Sequence, residues 1–362
     1  MKRRLAYMNP DCFIHVDRTV LPGLAKEFEV LWIPVIGEGY TEFSESEMGE
    51  FAARNGIQLK IFHSTQRERS PRNIGLYLSI TRFINNASCD LVFSACNNPF
   101  WTLVSRFLKS PLVFGIHDFQ QHSNFNQSRL LHLSTRLAIH LNQYFLFYSE
   151  SQQALFRREF PTKNSENVGL VSLDYGKPTL SPTSIEDGVK LLFFGRIDHY
   201  KGLDSLIQAM ESLYADGIEN MTLTICGKGD FWSVCEPLII HKDLFRLYIR
   251  FIDNDEIPNL FGTHHFLVLP YKDTTQSGPL MIAIRYGIPV IVPNHEAFLA
   301  YCDRTNALVY EQGQLKEALN TCALLSQSDY SRLREQWEQV QDSCTTERIV
   351  DKYISYFHEI CR

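Results

Sequence analysis

Several stretches of this chain put chemically capable residues where a strand gives way to a helix. The first is Leu191–Ala209, LLFFGRIDHYKGLDSLIQA. An apolar strand ends at Gly195, Arg196 follows at its carboxyl end, and Lys201-Gly202 opens an amphipathic helix. A helix start favours anions through its free N–H groups and its dipole. An arginine and a lysine held there can neutralise a diphosphate, the arginine through its planar fork and the lysine as a point charge. The second stretch is Leu267–Val292, LVLPYKDTTQSGPLMIAIRYGIPVIV. A buried strand ends at Pro270, a polar turn leads into an apolar helix, and Gly287-Ile288-Pro289 starts another strand. Thr275, Gln276, Ser277 and Gly278 stand at that helix start, where N–H groups and hydroxyls can hold phosphate oxygens. Helix capping by Ser277 or Thr275 accounts for the same residues without a ligand.

Two further strand ends carry candidates. In Thr224–Asp230, TICGKGD, a glycine turn follows the strand, and Gly227 permits close backbone approach to a ligand. In Leu112–Asn126, LVFGIHDFQQHSNFN, a strand delivers His117 and Asp118 to its carboxyl edge, with His122 shortly after. Asp253-Asn254-Asp255 has a D-x-D pattern that can hold a metal, but it lies between an expected strand, Tyr248–Phe251, and a helix beginning at Glu256. Asp255 is expected to cap that helix and Glu256 to suit its positive end. Arg196 and Lys201 already supply positive charge, so no metal is expected.

The elements that position these residues follow from short apolar runs alternating with helical patterns, the signature of βαβ units and parallel sheets. In the first half, strands are expected near Arg4–Met8, Val30–Ile36, Gln58–Phe62, Asp90–Ser94, Leu112–Ile116 and Tyr144–Tyr148. Helices fit Met48–Asn55, Asn73–Asn85, Phe100–Leu108 and Arg129–Asn142. In the second half, strands fit Lys190–Phe194, Met221–Cys226, Tyr248–Phe251, His265–Leu269, Ile288–Val292 and Ala307–Val309. Its helices fit Gly202–Ala215, Glu256–Phe261, Pro279–Tyr286, Gln314–Ser326, Ser331–Asp342 and Glu347–Cys361. Residues 176–188, GKPTLSPTSIEDG, have linker composition. The chain of 362 residues therefore reads as two α/β domains, 1–175 and 189–345, with a terminal helix, 346–362, that can pack back on the first.

Taken in order, G-R-I-x-x-x-K-G at Gly195–Gly202, the polar turn and helix, and G-x-P-V-I at Gly287–Ile291 resemble the retaining glycosyltransferases of family 4, also called group 1. The resemblance covers residues 190–292 well and 110–170 more weakly. It implies the GT-B fold, two Rossmann-like domains with mainly parallel sheets facing across a cleft. It implies transfer of a sugar, with retention, from a nucleoside-diphosphate sugar to an acceptor hydroxyl, in polysaccharide or glycoconjugate biosynthesis. The donor would be held by Gly195, Arg196, Lys201, Gly227, Thr275, Gln276, Ser277 and Gly278. Arg196 and Lys201 would also stabilise the leaving diphosphate, and His117 and Asp118 would act at the donor sugar. No cofactor or metal is implied. Most relatives carry two glutamates eight positions apart in the second stretch. Those positions fall here at Thr274 and Ile282, and the chain instead resembles a subgroup with T-Q-S-G before the helix. The ribose contact usually made by the second glutamate has no assigned residue. The loop after the first strand, Asn9–Asp17, also lacks the usual Gly-Gly turn, which leaves His15 and Asp17 as acceptor-side candidates. The missing glutamates motivate a rival, a non-catalytic nucleotide-sugar-binding partner subunit of the same fold.

Composition narrows the class. Hydrophobic content of 44% and charged content of 21% suit a globular protein. The net charge of −6 divides into +3 over residues 1–170 and −9 over 171–362. An acidic whole argues against nucleic acid, while a basic first half suits an anionic membrane surface or acceptor. Nine cysteines, an odd number with no C-x-x-C pair, fit neither a disulfide framework nor a structural zinc site. No run approaches the roughly 18–20 apolar residues that span a bilayer. The apolar run behind Lys2-Arg3-Arg4 is shorter than the roughly 7–15 residues of a signal core, so a cytoplasmic protein is expected. Residues 64–86 place Arg67, Arg69, Arg72 and Arg82 around Ile74, Tyr77, Leu78 and Thr81. Such a helix can lie on an anionic bilayer or pack on a sheet. The expected partners are a nucleotide-sugar donor and a carbohydrate or lipid-linked glycan acceptor, with weak peripheral contact at the inner face of the membrane.

Overall fold

Apolar runs too short for core helices, alternating with amphipathic segments, build two parallel α/β units. The computed structural model describes residues 2–40, 42–66, 70–117, 119 and 129–362, with the backbone alone for 129–133. One unit comprises residues 1–121, 125–171 and 346–362, and the other chiefly 172–345.

The first unit contains β1 (Arg3–Pro10), α1 (Ile14–Glu27), β2 (Phe28–Gly37), α2 (Glu45–Arg54), β3 (Gln58–Leu59), β4 (Phe62–Ser64) and α3 (Ile74–Asn86). It continues with β5 (Leu91–Ser94), α4 (Pro99–Val104), β6 (Leu112–Ile116), α5 (Arg129–Leu141), β7 (Tyr144–Phe147), α6 (Glu150–Glu159) and β8 (Asn164–Asn167). The sheet order is β3-β2-β1-β5-β6-β7-β8, with β4 also on β2. Strand order reverses on either side of β1, so the carboxyl ends of β1, β5 and β6 border the crevice where such sheets bind ligands.

The expected loop Asn9–Asp17 is instead the end of β1, a single 3-10 turn at Asp11–Phe13, and the start of α1. The buried face of α1 is Ile14, Asp17, Val20, Leu21 and Leu24. Its helical spacing is interrupted in the sequence by a carboxylate on the buried face and by Pro22-Gly23 near the end. Asp17 is wholly buried, accepting from Asn9 Nδ2 at 2.8 Å and Trp32 Nε1 at 2.9 Å, so it is part of the core rather than an open acceptor-side group. Helix α3 turns Tyr77, Ile80 and Ile84 into the core beneath the sheet. Of the face that could meet a bilayer, Tyr77 and Thr81 are buried, Leu78 is half-buried and Ile74 is exposed. Arg67 and Arg69 lie outside the described residues. Among the described residues, no helix is long and apolar enough to cross a membrane.

The second unit holds β9 (Val189–Phe194), α7 (Leu203–Ala215), β10 (Met221–Cys226), α8 (Trp232–Cys235), β11 (Phe245–Tyr248), α9 (Ile257–Thr263) and β12 (Phe266–Val268). These lead to α10 (Gly278–Tyr286), β13 (Val290–Pro293), α11 (Glu296–Leu299), β14 (Leu308–Tyr310), α12 (Leu315–Ala323) and α13 (Gln327–Ser343). Its order is β11-β10-β9-β12-β13-β14, parallel throughout, with the switch between β9 and β12. Residues 176–188 do not run free. Thr179 N donates to Asn259 Oδ1 at 2.8 Å, and the buried Ile185 donates through its N to Gln327 Oε1 at 3.0 Å. The chain then closes with α14 (Thr346–Ile360), which belongs to the first unit and lies against α1. Gly23 makes that approach feasible, because a Cβ there would lie 2.6 Å from Val350 Cγ1.

Candidate functional site

The carboxyl end of β9 meets the loop after β12 at the switch point of the second sheet. Gly202 is left-handed, with φ of 69°, and a Cβ there would come within 1.9 Å of the Pro270 carbonyl oxygen. Lys272 N donates to Tyr200 O at 2.7 Å across the same seam. This close seating places Lys201 inside the protein, 8% exposed, with Nζ 3.7 Å from the centre of the Tyr271 ring and 5.0 Å from that of Tyr200. Among the described residues no ion pair involves Lys201. Burial, reinforced by Arg196, lowers its ammonium to about 8, with Tyr200 and Asp198 opposing. A cation–π contact offsets part of the desolvation, but a buried ammonium without a carboxylate is the arrangement an anionic ligand completes.

Arg196 is exposed at the end of β9, and its Nε is 2.5 Å from Asp198 Oδ2. That pairing leaves the two terminal nitrogens of the fork outside the ion pair. Gly195 sits beside α10, with a Cβ position 3.5 Å from Pro279 Cγ. Helix α10 starts with Ser277 as its cap, whose Oγ accepts from Leu280 N at 3.4 Å and donates to Tyr271 Oη at 3.3 Å. The Ser277 hydroxyl is thus buried and engaged in capping and in holding Tyr271. The first N–H groups of α10 have no intrahelical acceptor. Gly278 is exposed, and a Cβ there would meet nothing within 4 Å. Thr275 and Gln276 are half-buried in the turn, which Thr274 closes by donating from Oγ1 to Gln276 O at 2.8 Å. Ile282, where relatives place the second glutamate, is buried in α10.

Gly227 stands against the backbone of another strand end. A Cβ there would lie 1.8 Å from Gly195 O, so the glycine lets two strand-end loops stack. Gly195 N donates to Cys226 O at 3.0 Å and Ile197 N to Lys228 O at 2.9 Å in the same stack. Asp255 does not cap α9 either. The cap position is Glu256, whose carboxylate turns away to accept both arms of Arg250, at 2.7 and 2.6 Å. The preceding strand ends at Tyr248, before the expected Tyr248–Phe251, and Phe251 is 54% exposed.

Gly195, Arg196, Lys201, Ser277 and Gly278 thus converge on one edge of the second sheet. His117 lies in the first unit, immediately after β6, stacked on Tyr148 and against Phe13. Asp118 and His122 lie outside the described residues. Tyr271, Tyr200 and Asp198 were not singled out by motif reading. Their signal is position alone: Tyr271 is the third residue past the end of a buried strand at a sheet's switch point.

Residues 188–327 match the family model described as Glycosyl transferases group 1. The second unit carries a glycosyl transferases group 1 domain. Within this group 1 domain lie all the converging residues of the second sheet. The chain is 29% identical over 112 residues to an uncharacterized glycosyltransferase of Methanocaldococcus jannaschii, a match spanning 30% of this chain and 27% of that relative. Solved structures resemble it over nearly the whole length. Sucrose-phosphate synthase from Thermosynechococcus elongatus gives a TM-score of 0.76 at 11% identity, covering 99% of each chain. The Anabaena protein HepE, in complex with UDP and glucose, gives 0.74 at 13%, covering 99% of this chain and 100% of that one. A UDP-forming trehalose-phosphate synthase from Burkholderia xenovorans gives 0.70 at 11%, covering both chains fully. At these identities the likeness is one of fold, and that fold is GT-B.

Proposed function

We propose that this chain is a retaining, metal-independent glycosyltransferase that moves a sugar from a nucleoside-diphosphate donor to a hydroxyl of a carbohydrate or lipid-linked glycan, in polysaccharide or glycoconjugate biosynthesis. The observation that carries the reading is Lys201, a buried cation over Tyr271 with no ion-pair partner among the described residues, at the switch point of a group 1 domain. In the reaction the bond from the anomeric carbon to the diphosphate oxygen breaks and a bond to the acceptor oxygen forms. The acceptor proton departs and the nucleoside diphosphate leaves with the bonding electrons. Negative charge grows on the diphosphate as it leaves, so cations and amides already aimed at it lower the barrier. Lys201, the Arg196 fork and the first amides of α10 fill that role, with His117 and Asp118 at the donor sugar. A uridine diphosphate sugar is the first donor to try, because HepE was solved with UDP and glucose.

The absence of glutamates at Thr274 and Ile282 favours a second reading, a non-catalytic nucleotide-sugar-binding subunit. One experiment separates the two. The purified chain is incubated with a panel of nucleotide sugars, beginning with UDP-glucose, and donor binding, hydrolysis and transfer are each followed. Donor binding with hydrolysis or transfer supports the enzyme, whereas binding without any turnover supports the subunit. No binding across the panel would remove both.

A further inference from the structure

The neighbours of His117 form a device that no motif predicts. Strands β6 and β7 are parallel neighbours, and their last residues, Ile116 and Phe147, are paired in register. His117 and Tyr148 are the next residue on each strand. Parallel neighbours at one register level lie about 4.8 Å apart with side chains on the same face. Their rings accordingly stack, with centroids 4.3 Å apart and planes at 23°. Phe13, from the turn after β1, approaches the same imidazole with centroids 4.9 Å apart and planes at 33°. The tyrosine is seated over Gly115, where a Cβ would lie 2.9 Å from Tyr148 Oη. Tyr148 is buried, and its hydroxyl is within hydrogen-bonding reach of Tyr353, a buried residue of α14 that also reaches Tyr7.

We infer that Phe13 and Tyr148 clamp the His117 imidazole, with Tyr353 of the terminal helix locking Tyr148, so that Tyr148 and Tyr353 are positioning residues for the transfer reaction. The inference rests on the proposed role of His117 at the donor sugar. Packing against two rings restricts the rotamers of a residue that stands just past a strand end. Misplacing a reacting group by about 1 Å can cost on the order of 100-fold in rate.

The test uses the full chain and two readouts. In histidine-labelled protein, NMR follows the His117 ring protons, assigned by their loss in His117→Gln. Transfer kinetics give kcat and donor KM separately. In the wild type the His117 protons are expected upfield, from the ring currents above and below. Tyr148→Leu is expected to move them to ordinary positions and to lower kcat roughly 10- to 100-fold, with donor KM little changed. Tyr148→Phe keeps the ring, and with it most of the upfield shift, but loses the hydroxyl that the lock uses, so it is expected to match the variant of the locking residue. Tyr353→Phe tests the lock, with a smaller displacement and a smaller loss of kcat. If Tyr148→Leu fails to fold, Phe13→Leu strips the other face of the half-buried clamp. Unshifted His117 protons in the wild type, or shifts indifferent to both leucine variants, overturn the clamp. A full kcat in Tyr148→Leu, while His117→Gln abolishes transfer, overturns the positioning role and leaves the proposed function standing. Transfer untouched by His117→Gln instead defeats the assignment of His117 to the sugar, and the ring shifts then judge the clamp alone.

Discussion

Lys201 ties sequence chemistry to structural setting at the scale of one residue. Because burial lowers its folded-state value to about 8, it is charged at neutral pH and loses its charge as pH rises through that value. A donor diphosphate esterified at both ends does not titrate there, so donor affinity is expected to fall between pH 7 and 9. Calorimetry of donor binding checks this, and a flat wild-type profile would reject it; Lys201→Met should bind weakly at every pH. The apo protein has the opposite slope. A lysine depressed in the folded state binds fewer protons than when unfolded, so its contribution to stability rises between about pH 8 and 10.5. For turnover, Arg196→Ala and Lys201→Ala are each expected to cost roughly 2–4 kcal/mol of transition-state stabilisation. Folded variants with unchanged kcat/KM would remove both from the diphosphate site. Sequence spacing named these two cations. It did not reveal that one is buried on an aromatic ring and the other paired with Asp198, because neither burial nor which neighbour a side chain turns to is encoded in spacing.

At the scale of elements, glycines at superficially similar strand ends and helix starts do different work. Gly202→Ala places a methyl 1.9 Å from a backbone oxygen at a left-handed position. It is expected to destabilise by about 2 kcal/mol or more, since the left-handed cost alone is roughly 1–2 kcal/mol. Gly278→Ala meets nothing and sits in a helical first turn. Its stability is expected to stay within about 0.5 kcal/mol of wild type, while donor affinity falls because the methyl enters the space given to phosphate. Denaturant unfolding and donor titration on the same pair of variants decide this; unchanged donor affinity in Gly278→Ala would place the phosphates elsewhere. The elements themselves were largely legible: Leu112–Ile116 and Met221–Cys226 form at the expected bounds. Helix α1 was not, because Asp17 on its buried face and Pro22-Gly23 near its end break the apolar spacing on which such a reading depends. Strand β11 spans Phe245–Tyr248 rather than the expected Tyr248–Phe251, and Phe251 is exposed beyond its end.

For the molecule as a whole, Asp17 links the first unit to pH. Burial raises its carboxyl to about 7, although Asn9 and Trp32 pull the other way. A carboxyl whose folded value exceeds its unfolded 3.8 keeps its proton longer in the native state. Stability from this group is therefore full below about pH 4 and is lost as pH rises toward 7, by roughly 4 kcal/mol in total. The difference in melting temperature between wild type and Asp17→Asn, followed from pH 5 to 8, isolates the slope; a constant difference would reject it. Activity is expected to survive a chelator without added manganese or magnesium, and its loss and recovery with either metal would reject metal independence. The sequence by itself determined the class of fold and singled out the two strand-end cations, because strand and helix periods and a strand-end motif are local properties of the chain. Tertiary structure decided what spacing cannot carry. It buried Lys201 against Tyr271, gave the Ser277 hydroxyl to the helix cap, stacked Gly227 on Gly195, and set His117 against both Phe13 and Tyr148. Each of those contacts joins residues distant in sequence or turns on burial, and both arise only when the strands have taken their places in the sheets.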